Sequence, residues 1–196
     1  ESDWSSASYW YSVVALSQKA EIILNNLYKN SIQGDSILIK IFRALGVTTK
    51  FKENKIILKK TRDFVLPKKL SLNLINSPDL AQTIAVTCFG LGIKCSLNGL
   101  QTLNIKETNR LAALKNELTK LGANLNVTKS TLILHGSKKL KKNIKINTYQ
   151  DHRMAMSFAP LALKIPIFIQ NPNVVVKSYP EFWDDLESAG FIIKTI

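Results

Sequence analysis

Hydrophobic residues recur with helical spacing in three segments of the chain, and an aspartate heads each segment. The three headers are Asp3, Asp79 and Asp151, and the segments read SSASYWYSVVALSQ, DLAQTIAVTCFGLG and DHRMAMSFAPLALK. The intervals between the aspartates are 76 residues (3 to 79) and 72 residues (79 to 151). The pattern therefore predicts three helices that recur as parts of an internal repeat.

A β-rich run and a second helical pattern follow each of these helices. The runs EIILNNL, IKCSLNGL and IPIFIQNP predict strands, and GDSILIKIFRALG, ETNRLAALKNELTKLG and YPEFWDDLESAG predict helices. These second helices close on Gly46, Gly122 and Gly190, which suit left-handed caps. Further strands are predicted in VTTKF with KIILKK, in NLNVTK with TLILHG, in LSLNLI and NIKIN before the next aspartate, and in FIIKTI.

The predicted fold class is α/β, with a three-fold repeat of α-β-α-β-β units at about 3–78, 79–150 and 151–196. A period in the seventies exceeds that of common solenoids, so one closed domain over 1–196 is expected, with helices packed inside sheets. The first unit lacks a strand before Asp3, and the third has one strand after its second helix. We therefore expect at least one strand to come from chain outside this sequence.

The composition limits the class of protein. A chain of 196 residues with 45% hydrophobic residues and no low-complexity tract fits a globular core. The apolar run AMSFAPLALKIPIFI is interrupted by Pro160, Lys164 and Pro166 and is shorter than the roughly 20 residues of a membrane span, so no span is predicted. The opening residues ESDWSS include neither Met nor a charged-then-apolar pattern, so no secretion leader is expected. Cys88 and Cys95 fit neither a zinc site nor a redox pair, which predicts free, buried thiols in a cytoplasmic protein.

The net charge of +13 could attract nucleic acid or small polyanions. However, most lysines are scattered at predicted turns and strand edges, as in LKKTRDFVLPKK and GSKKLKKN, which is typical of a solvated surface. The aromatic residues lie mostly within helical patterns rather than beside basic ones, so no nucleic-acid binding is expected. Arginine is more informative, because only four are present and Arg110 and Arg153 both stand beside acidic residues at predicted helix starts.

The aspartates at the helix starts allow two interpretations. Each side chain could cap free backbone N–H groups, which is the ordinary role of an aspartate in this position. Asp79, in NSPDLAQT, could equally act as a general base if a cationic pocket lies beside it. Capping alone does not decide between the two.

The segment LNIKETNRL places several charges at one junction. With a helix predicted from about Glu107, Glu107 and Arg110 share a face as an i,i+3 pair, and Lys106 stands at the loop-to-helix junction. Lys177, in VVVKSYPEF, occupies the corresponding junction of the third unit, and Arg153 begins a helix there. Helix N-termini carry partial positive charge, so these cations predict a site for phosphate or carboxylate.

Several segments together resemble the C-terminal half of the 5-enolpyruvylshikimate-3-phosphate synthase family. They are DWSSASYW, NSIQGD, SPDLAQT, IKETNRLAAL, TYQDHRMAMSFAPLAL and VVKSYPEFWDDL, in the family's order, and KETNR with DHRMAM is the most specific combination. The resemblance implies the enolpyruvyl transferase fold, an inside-out, barrel-like α/β domain, with no metal or organic cofactor. It also implies transfer of the enolpyruvyl group of phosphoenolpyruvate to the 5-hydroxyl of shikimate 3-phosphate, with release of phosphate, on the route to aromatic amino acids.

The resemblance also implies roles for single residues. Asp79 matches the family's base at the shikimate 5-hydroxyl, and Glu107 a glutamate that moves the proton at the methylene carbon of phosphoenolpyruvate. Lys106 and Asp79 match residues that bind shikimate 3-phosphate. The matches to the cations that hold phosphoenolpyruvate are Arg110, Arg153 and Lys177. Thr102 stands where many members have a shikimate-binding asparagine, and its hydroxyl reaches less far.

Two further expectations concern what lies around these residues. Asp151 is expected to cap its helix, and His152 either orients the loop through a hydrogen bond or transfers a proton. The resemblance implies an N-terminal domain that supplies further cations and is not in this sequence. We therefore expect this chain to carry half of an active site and to be inactive alone. The complete enzyme is expected to be a monomer. Two alternatives stay open: the related transferase that acts on UDP-N-acetylglucosamine, and a non-catalytic domain that binds anions or nucleic acid.

Overall fold

The computed structural model describes residues 1–136 and 140–195, and it has the predicted alternation of helices and strands. In chain order the elements are α1 (Trp4–Leu16), β1 (Glu21–Asn25), α2 (Leu38–Arg43), β2 (Val47–Lys52), β3 (Lys55–Lys60), β4 (Lys69–Asn73), α3 (Ala81–Leu91), β5 (Lys94–Asn98), α4 (Arg110–Lys120), β6 (Leu125–Val127), β7 (Leu132–Leu134), β8 (Ile144–Ile146), α5 (His152–Phe158), β9 (Ile167–Ile169) and α6 (Phe182–Ser188). Short 3-10 segments lie at Gly34–Ile37, Pro78–Leu80, Gln101–Ile105, Ala159–Leu163 and Pro172–Lys177.

The helices that follow the three aspartates form the centre of the molecule. Helices α1, α3 and α5 contact one another, and almost every residue in them is buried. A helix that is apolar around its whole circumference is stable only when neighbours cover it on all sides. This arrangement confirms the predicted fold class, in which these helices lie inside and the sheets lie around them.

Three separate sheets surround the central helices, and the described strands form no closed barrel. Their strand orders are β1-β3-β2, β4-β5-β7-β6 and β8-β9. In the second and third units, the strand before the central helix pairs parallel with the strand after it, as β4 with β5 and β8 with β9. In the first unit β1 pairs only with β3 among the described strands.

The three predicted glycine caps are present. Gly46, Gly122 and Gly190 have φ angles of +81°, +99° and +96°, which confirms the left-handed conformation expected at these helix ends. Cys88 and Cys95 are free and buried, as predicted. Part of the lysine run GSKKLKKN, residues 137–139, lies outside the described residues. Among the described residues, no helix has both the length and the apolar character to span a membrane.

Some predicted boundaries were wrong. The helix predicted over 34–46 is a 3-10 turn followed by the short α2. The helix predicted from Glu107 begins at Arg110, because the Asn109 side chain accepts the Ala112 N–H and so caps the helix there. The strand predicted in FIIKTI is absent over residues 191–195, where no described strand lies alongside to complete a ladder, and Ile196 lies outside the described residues.

Candidate functional site

The candidate site lies at the N-terminal ends of α3, α4 and α5, where the chain segments that lead into these helices meet. The 3-10 turn Pro78–Leu80 carries Asp79 into α3, and a loop carries Lys106 and Glu107 into α4. Arg110 is the first residue of α4, and Arg153 is the second residue of α5. The two internal repeats that begin at residues 79 and 151 therefore both contribute charges to this site.

Three cations surround the Asp79 carboxylate. Oδ1 lies 2.9 Å from Nη1 of Arg110 and 3.6 Å from Nζ of Lys106, and Oδ2 lies 3.1 Å from Nη2 of Arg153. The Asp79 side chain is 24% exposed, so solvent or a ligand can reach it. Neither the Pro78–Leu80 turn nor α3 has a cap hydrogen bond from a side chain, so the capping interpretation is wrong for Asp79. Its carboxylate instead forms ion pairs with three residues.

Arg110 is the most enclosed charge of the site, with 2% of its side chain exposed. Its three guanidinium nitrogens each contact a carboxylate: Nε lies 2.7 Å from Asp151, Nη1 2.9 Å from Asp79 and Nη2 2.5 Å from Glu107. Burial of a charge is tolerated only when it is paired and hydrogen-bonded, which this geometry satisfies. The predicted pair of Glu107 with Arg110 is thus present, although Glu107 precedes the helix.

Asp151 has the capping role expected from the sequence and a second role that the sequence did not reveal. Its Oδ1 accepts the Arg153 backbone N–H at 2.9 Å, as an N-cap does. Its Oδ2 accepts Nε of Arg110, although the two residues are 41 positions apart. The side chain is fully buried. The one available signal was that Arg110, at a helix start, needed an anionic partner beyond its neighbour Glu107.

The site is balanced in charge. The three cations Lys106, Arg110 and Arg153 face three carboxylates, which are Asp79, Glu107 and Asp151. An arriving anion therefore has to compete with carboxylates that already hold the guanidinium groups. Such competition favours a ligand that brings more than one charge, as a phosphate or a phosphate with a carboxylate does.

Arg153 keeps part of its donor capacity free. One nitrogen, Nη2, binds Asp79, whereas the buried Nε has no hydrogen-bond partner among the described residues. Burial alone would lower the pKa of Arg153, but Tyr9, Asp79 and nearby acidic residues raise it above its ordinary value. The guanidinium is therefore charged, and it has an unused donor for an additional acceptor.

The environment also shifts the two groups that could move protons beside Arg110. Burial would raise the pKa of Glu107, but its own backbone N–H and the charge of Arg110 outweigh this, so the pKa lies below its ordinary value. Burial and the charge of Arg153 lower the pKa of His152, so the imidazole is neutral near pH 7. Its buried Nδ1 has no hydrogen-bond partner among the described residues, and both roles of His152 stay predictions.

Two predicted site residues stand apart from this cluster. Thr102 lies in the 3-10 segment Gln101–Ile105, and Lys177 ends the segment Pro172–Lys177, which packs against α5. Both are exposed, and neither side chain makes a hydrogen bond or ion pair with any described residue. The structure therefore brings together Asp79, Lys106, Glu107, Arg110 and Arg153, while the roles of Thr102 and Lys177 stay predictions.

Comparison with known proteins identifies relatives of this chain. The family model described as EPSP synthase (3-phosphoshikimate 1-carboxyvinyltransferase) matches residues 1–186. A 3-phosphoshikimate 1-carboxyvinyltransferase of Bacteroides fragilis is 47% identical over 197 aligned residues, which cover 99% of this chain and 48% of that protein. The enzyme of the same name from Methanocaldococcus jannaschii is 38% identical over 97% of this chain and 44% of its own length.

Solved structures support the same fold. The EPSP synthase of Acinetobacter baumannii superposes with a TM-score of 0.76 at 20% identity, over 97% of this chain and 46% of that one. The enolpyruvyl transferase NikO of Streptomyces tendae gives a TM-score of 0.67 at 14% identity, over 98% and 44%. The chain spans about half the length of the relatives it matches. From the match over residues 1–186, the chain belongs to the EPSP synthase (3-phosphoshikimate 1-carboxyvinyltransferase) family.

Proposed function

We propose that this chain is the C-terminal domain of a 3-phosphoshikimate 1-carboxyvinyltransferase. The reaction moves the enolpyruvyl group of phosphoenolpyruvate to the 5-hydroxyl of shikimate 3-phosphate and releases phosphate. The observation that carries the proposal is the solvent-accessible Asp79 carboxylate, held by Lys106, Arg110 and Arg153 at the ends of two helices. It combines a proton acceptor with fixed positive charge, and this reaction needs both at one place.

In the addition step, Asp79 would accept the proton of the 5-hydroxyl as the oxygen attacks C2 of phosphoenolpyruvate. A proton from Glu107 would go to C3, which becomes a methyl group. In the elimination step Glu107 would take a proton back from that methyl group, the double bond re-forms, and the C–O bond to phosphate breaks. The departing phosphate would take the proton that Asp79 received from the 5-hydroxyl, so both carboxyl groups return to their starting states. Proton transfer by positioned carboxylates and stabilisation of the departing phosphate by fixed cations together supply the rate acceleration.

The low pKa of Glu107 places a condition on the proposed reaction steps. In the structure Glu107 is ionised, because Arg110 and its own backbone N–H hold the charged form. It must therefore acquire a proton before it can donate one. An anion that binds Arg110 would compete for its nitrogens and bring negative charge close to Glu107, and both effects favour protonation of the carboxylate. Binding of phosphoenolpyruvate would thus prepare the proton donor.

The remaining cations fit the two substrates. Arg110 and Arg153 offer forked donors for the phosphate and carboxylate of phosphoenolpyruvate, and the exposed, unpaired Lys177 is free to join them. Lys106, with Thr102 on the preceding 3-10 segment, would contact shikimate 3-phosphate beside Asp79. The free Nε of Arg153 supports an anion at this position.

The proposed enzyme needs a second domain. The chain covers about half of each relative, so we assign residues 1–196 to the C-terminal domain, with repeat units at about 3–78, 79–150 and 151–196, and propose an N-terminal domain as its partner. That domain would close over the exposed side of Asp79 and complete the contacts to shikimate 3-phosphate. We further propose that the complete enzyme is monomeric and cytoplasmic, and that this chain is inactive alone.

A phosphate-release assay with both halves tests the proposal. The chain is mixed with the separately expressed N-terminal half of the enzyme, and phosphoenolpyruvate is supplied with either shikimate 3-phosphate or UDP-N-acetylglucosamine. We expect turnover with shikimate 3-phosphate only, and its loss in Asp79→Asn. Asp3→Asn is the matched control, since Asp3 also heads a central helix but forms no ion pair with any described residue. Turnover with the sugar nucleotide alone, or unchanged turnover in Asp79→Asn, would contradict the proposal.

A further inference from the structure

Helices α3 and α5 meet at two successive levels. At the N-terminal level, Asp79 and Arg153 form an ion pair of 3.1 Å. At the second level, Thr83 Oγ1 lies 3.2 Å from Ser157 Oγ, fully inside the protein. Thr83 follows Asp79 by four residues, and Ser157 follows Arg153 by four. Because residues four apart stack on one helix face, the hydroxyl contact lies one turn below the ion pair.

Thr83 also links these two helices to α1. Its Oγ1 lies 3.0 Å from Ser8 Oγ, and the Ser8 hydroxyl donates to the Ser5 carbonyl at 2.6 Å. Each hydroxyl has one hydrogen, so one direction satisfies the whole chain: Ser157 donates to Thr83, Thr83 to Ser8, and Ser8 to the carbonyl of Ser5. Thr83 is the central member, because it both accepts and donates.

We propose that Thr83 is a positioning residue for the catalytic pair Asp79 and Arg153. Its hydroxyl ties α3 to α5 and α1 at the first buried turn below the site, and so fixes the separation of the two helix ends that carry the carboxylate and the guanidinium. A buried hydroxyl that loses its partners is unfavourable, so the connected chain favours one packing of the three helices. The catalytic consequence rests on the proposed function, whereas the structural coupling does not.

The chain provides matched variants for this test. Thr83→Val keeps the shape of the side chain and removes the hydroxyl, and Thr83→Ser keeps the hydroxyl. Thr87 lies one turn further along α3 and is equally buried. Its hydroxyl donates to the Thr83 carbonyl at 2.6 Å, and its Oγ1 lies 2.7 Å from Ser12 Oγ of α1, from which it can accept. Thr87→Val therefore removes a buried hydroxyl between α3 and α1 but leaves the link to α5 intact.

A double-mutant cycle on this chain measures the structural coupling without any need for activity. Asp79→Asn, Arg153→Gln and the double substitution are each made in the unaltered chain and in the Thr83→Val, Thr83→Ser and Thr87→Val chains. Urea unfolding gives the equilibrium constant of unfolding for every variant. For an ion pair in one network we expect a coupling of about tenfold in the unfolding constant. The coupling should persist in Thr83→Ser and Thr87→Val, and fall at least about threefold in Thr83→Val. Equal coupling in Thr83→Val and Thr87→Val would overturn the inference.

Turnover of the two combined halves measures the catalytic consequence. A misplaced reacting group costs up to about a hundredfold in rate, so kcat should fall at least about tenfold in Thr83→Val, with a smaller change in KM. Thr83→Ser should restore kcat, and Thr87→Val should retain it. If Thr83→Val and Thr87→Val have the same kcat, Thr83 has no positioning role. If the unaltered halves release no phosphate, the proposed function fails, and the coupling measurement still decides the role of Thr83.

Discussion

Replacement of Asp151 by asparagine should uncouple the capping of α5 from the burial of Arg110. Asparagine is as good an N-cap as aspartate, so its side-chain oxygen can still accept the Arg153 N–H. The second oxygen, however, becomes an NH₂ group that faces Nε of Arg110 at the position now 2.7 Å away. Two donors then oppose each other at a site where no solvent reaches Asp151.

The size of the effect follows from the charge balance of the site. Asp151→Asn leaves two carboxylates against three cations and removes one of three partners of an arginine whose side chain is 2% exposed. Breaking a buried ion pair costs about 3–5 kcal/mol. Arg110 retains Asp79 and Glu107, so we expect the lower end of that range, about 3 kcal/mol. For a chain of this size, this corresponds to a fall in Tm of about 6–12 °C.

Urea unfolding followed by circular dichroism gives the free energy of unfolding of each variant. Asp3→Asn is the matched control, because Asp3 caps α1 through Ser5 N and Ser6 N but forms no ion pair with any described residue. We expect Asp3→Asn to cost less than about 1 kcal/mol, since the asparagine oxygen can still accept the Ser6 N–H and the site is exposed. If Asp151→Asn costs no more than Asp3→Asn, the contact with Arg110 does not stabilise the fold and the reasoning is wrong.

Three further variants test other parts of the account. Lys177→Ala should raise the KM for phosphoenolpyruvate of the combined halves about tenfold and change stability by less than about 0.5 kcal/mol, because Lys177 is exposed and unpaired; Lys164→Ala, another exposed lysine, should change neither. Because burial lowers the pKa of His152, the unfolded chain takes up a proton below about pH 6.5 that the folded chain resists, so stability is full above that pH and falls on acidification. Between pH 7.0 and pH 5.5, the free energy of unfolding should fall less in His152→Gln than in the unaltered chain. Gly99→Ala should cost about 2 kcal/mol, because φ is +78° and a Cβ would lie 2.5 Å from the Ile75 nitrogen. Gly92→Ala, at φ +72° with an open surrounding, isolates the backbone strain and should cost less in the same unfolding measurement.

The sequence was sufficient for the parts of the fold that local patterns determine. Helical periodicity after Asp3, Asp79 and Asp151 predicted the three central helices. Gly46, Gly122 and Gly190 predicted the left-handed ends of the second helix in each unit. The first residue of a helix was harder to predict, because two residues that can cap a helix may lie close together in the sequence. The segment KETNR contains both an acidic residue and Asn109, and the shorter asparagine side chain captured the helix end.

The part that local patterns could not predict is the long-range pairing of charges. The sequence indicated that Arg110 would meet Glu107, three residues away, whereas Asp79 and Asp151 reach it from 31 and 41 residues away. Only the packing of α3, α4 and α5 brings these groups together. For the same reason, the sequence predicted only the capping role of Asp151. Its hydrogen bond with Arg110 depends on the folded structure.

The most direct test of the central claim is phosphate release from phosphoenolpyruvate and shikimate 3-phosphate, measured for this chain alone and after addition of the N-terminal half. The account predicts no release by the chain alone, release by the mixture, and loss of that release in Arg153→Ala. Release by the chain alone would contradict the proposal that the site is half of an active site. A folded mixture that releases no phosphate would contradict the proposed reaction.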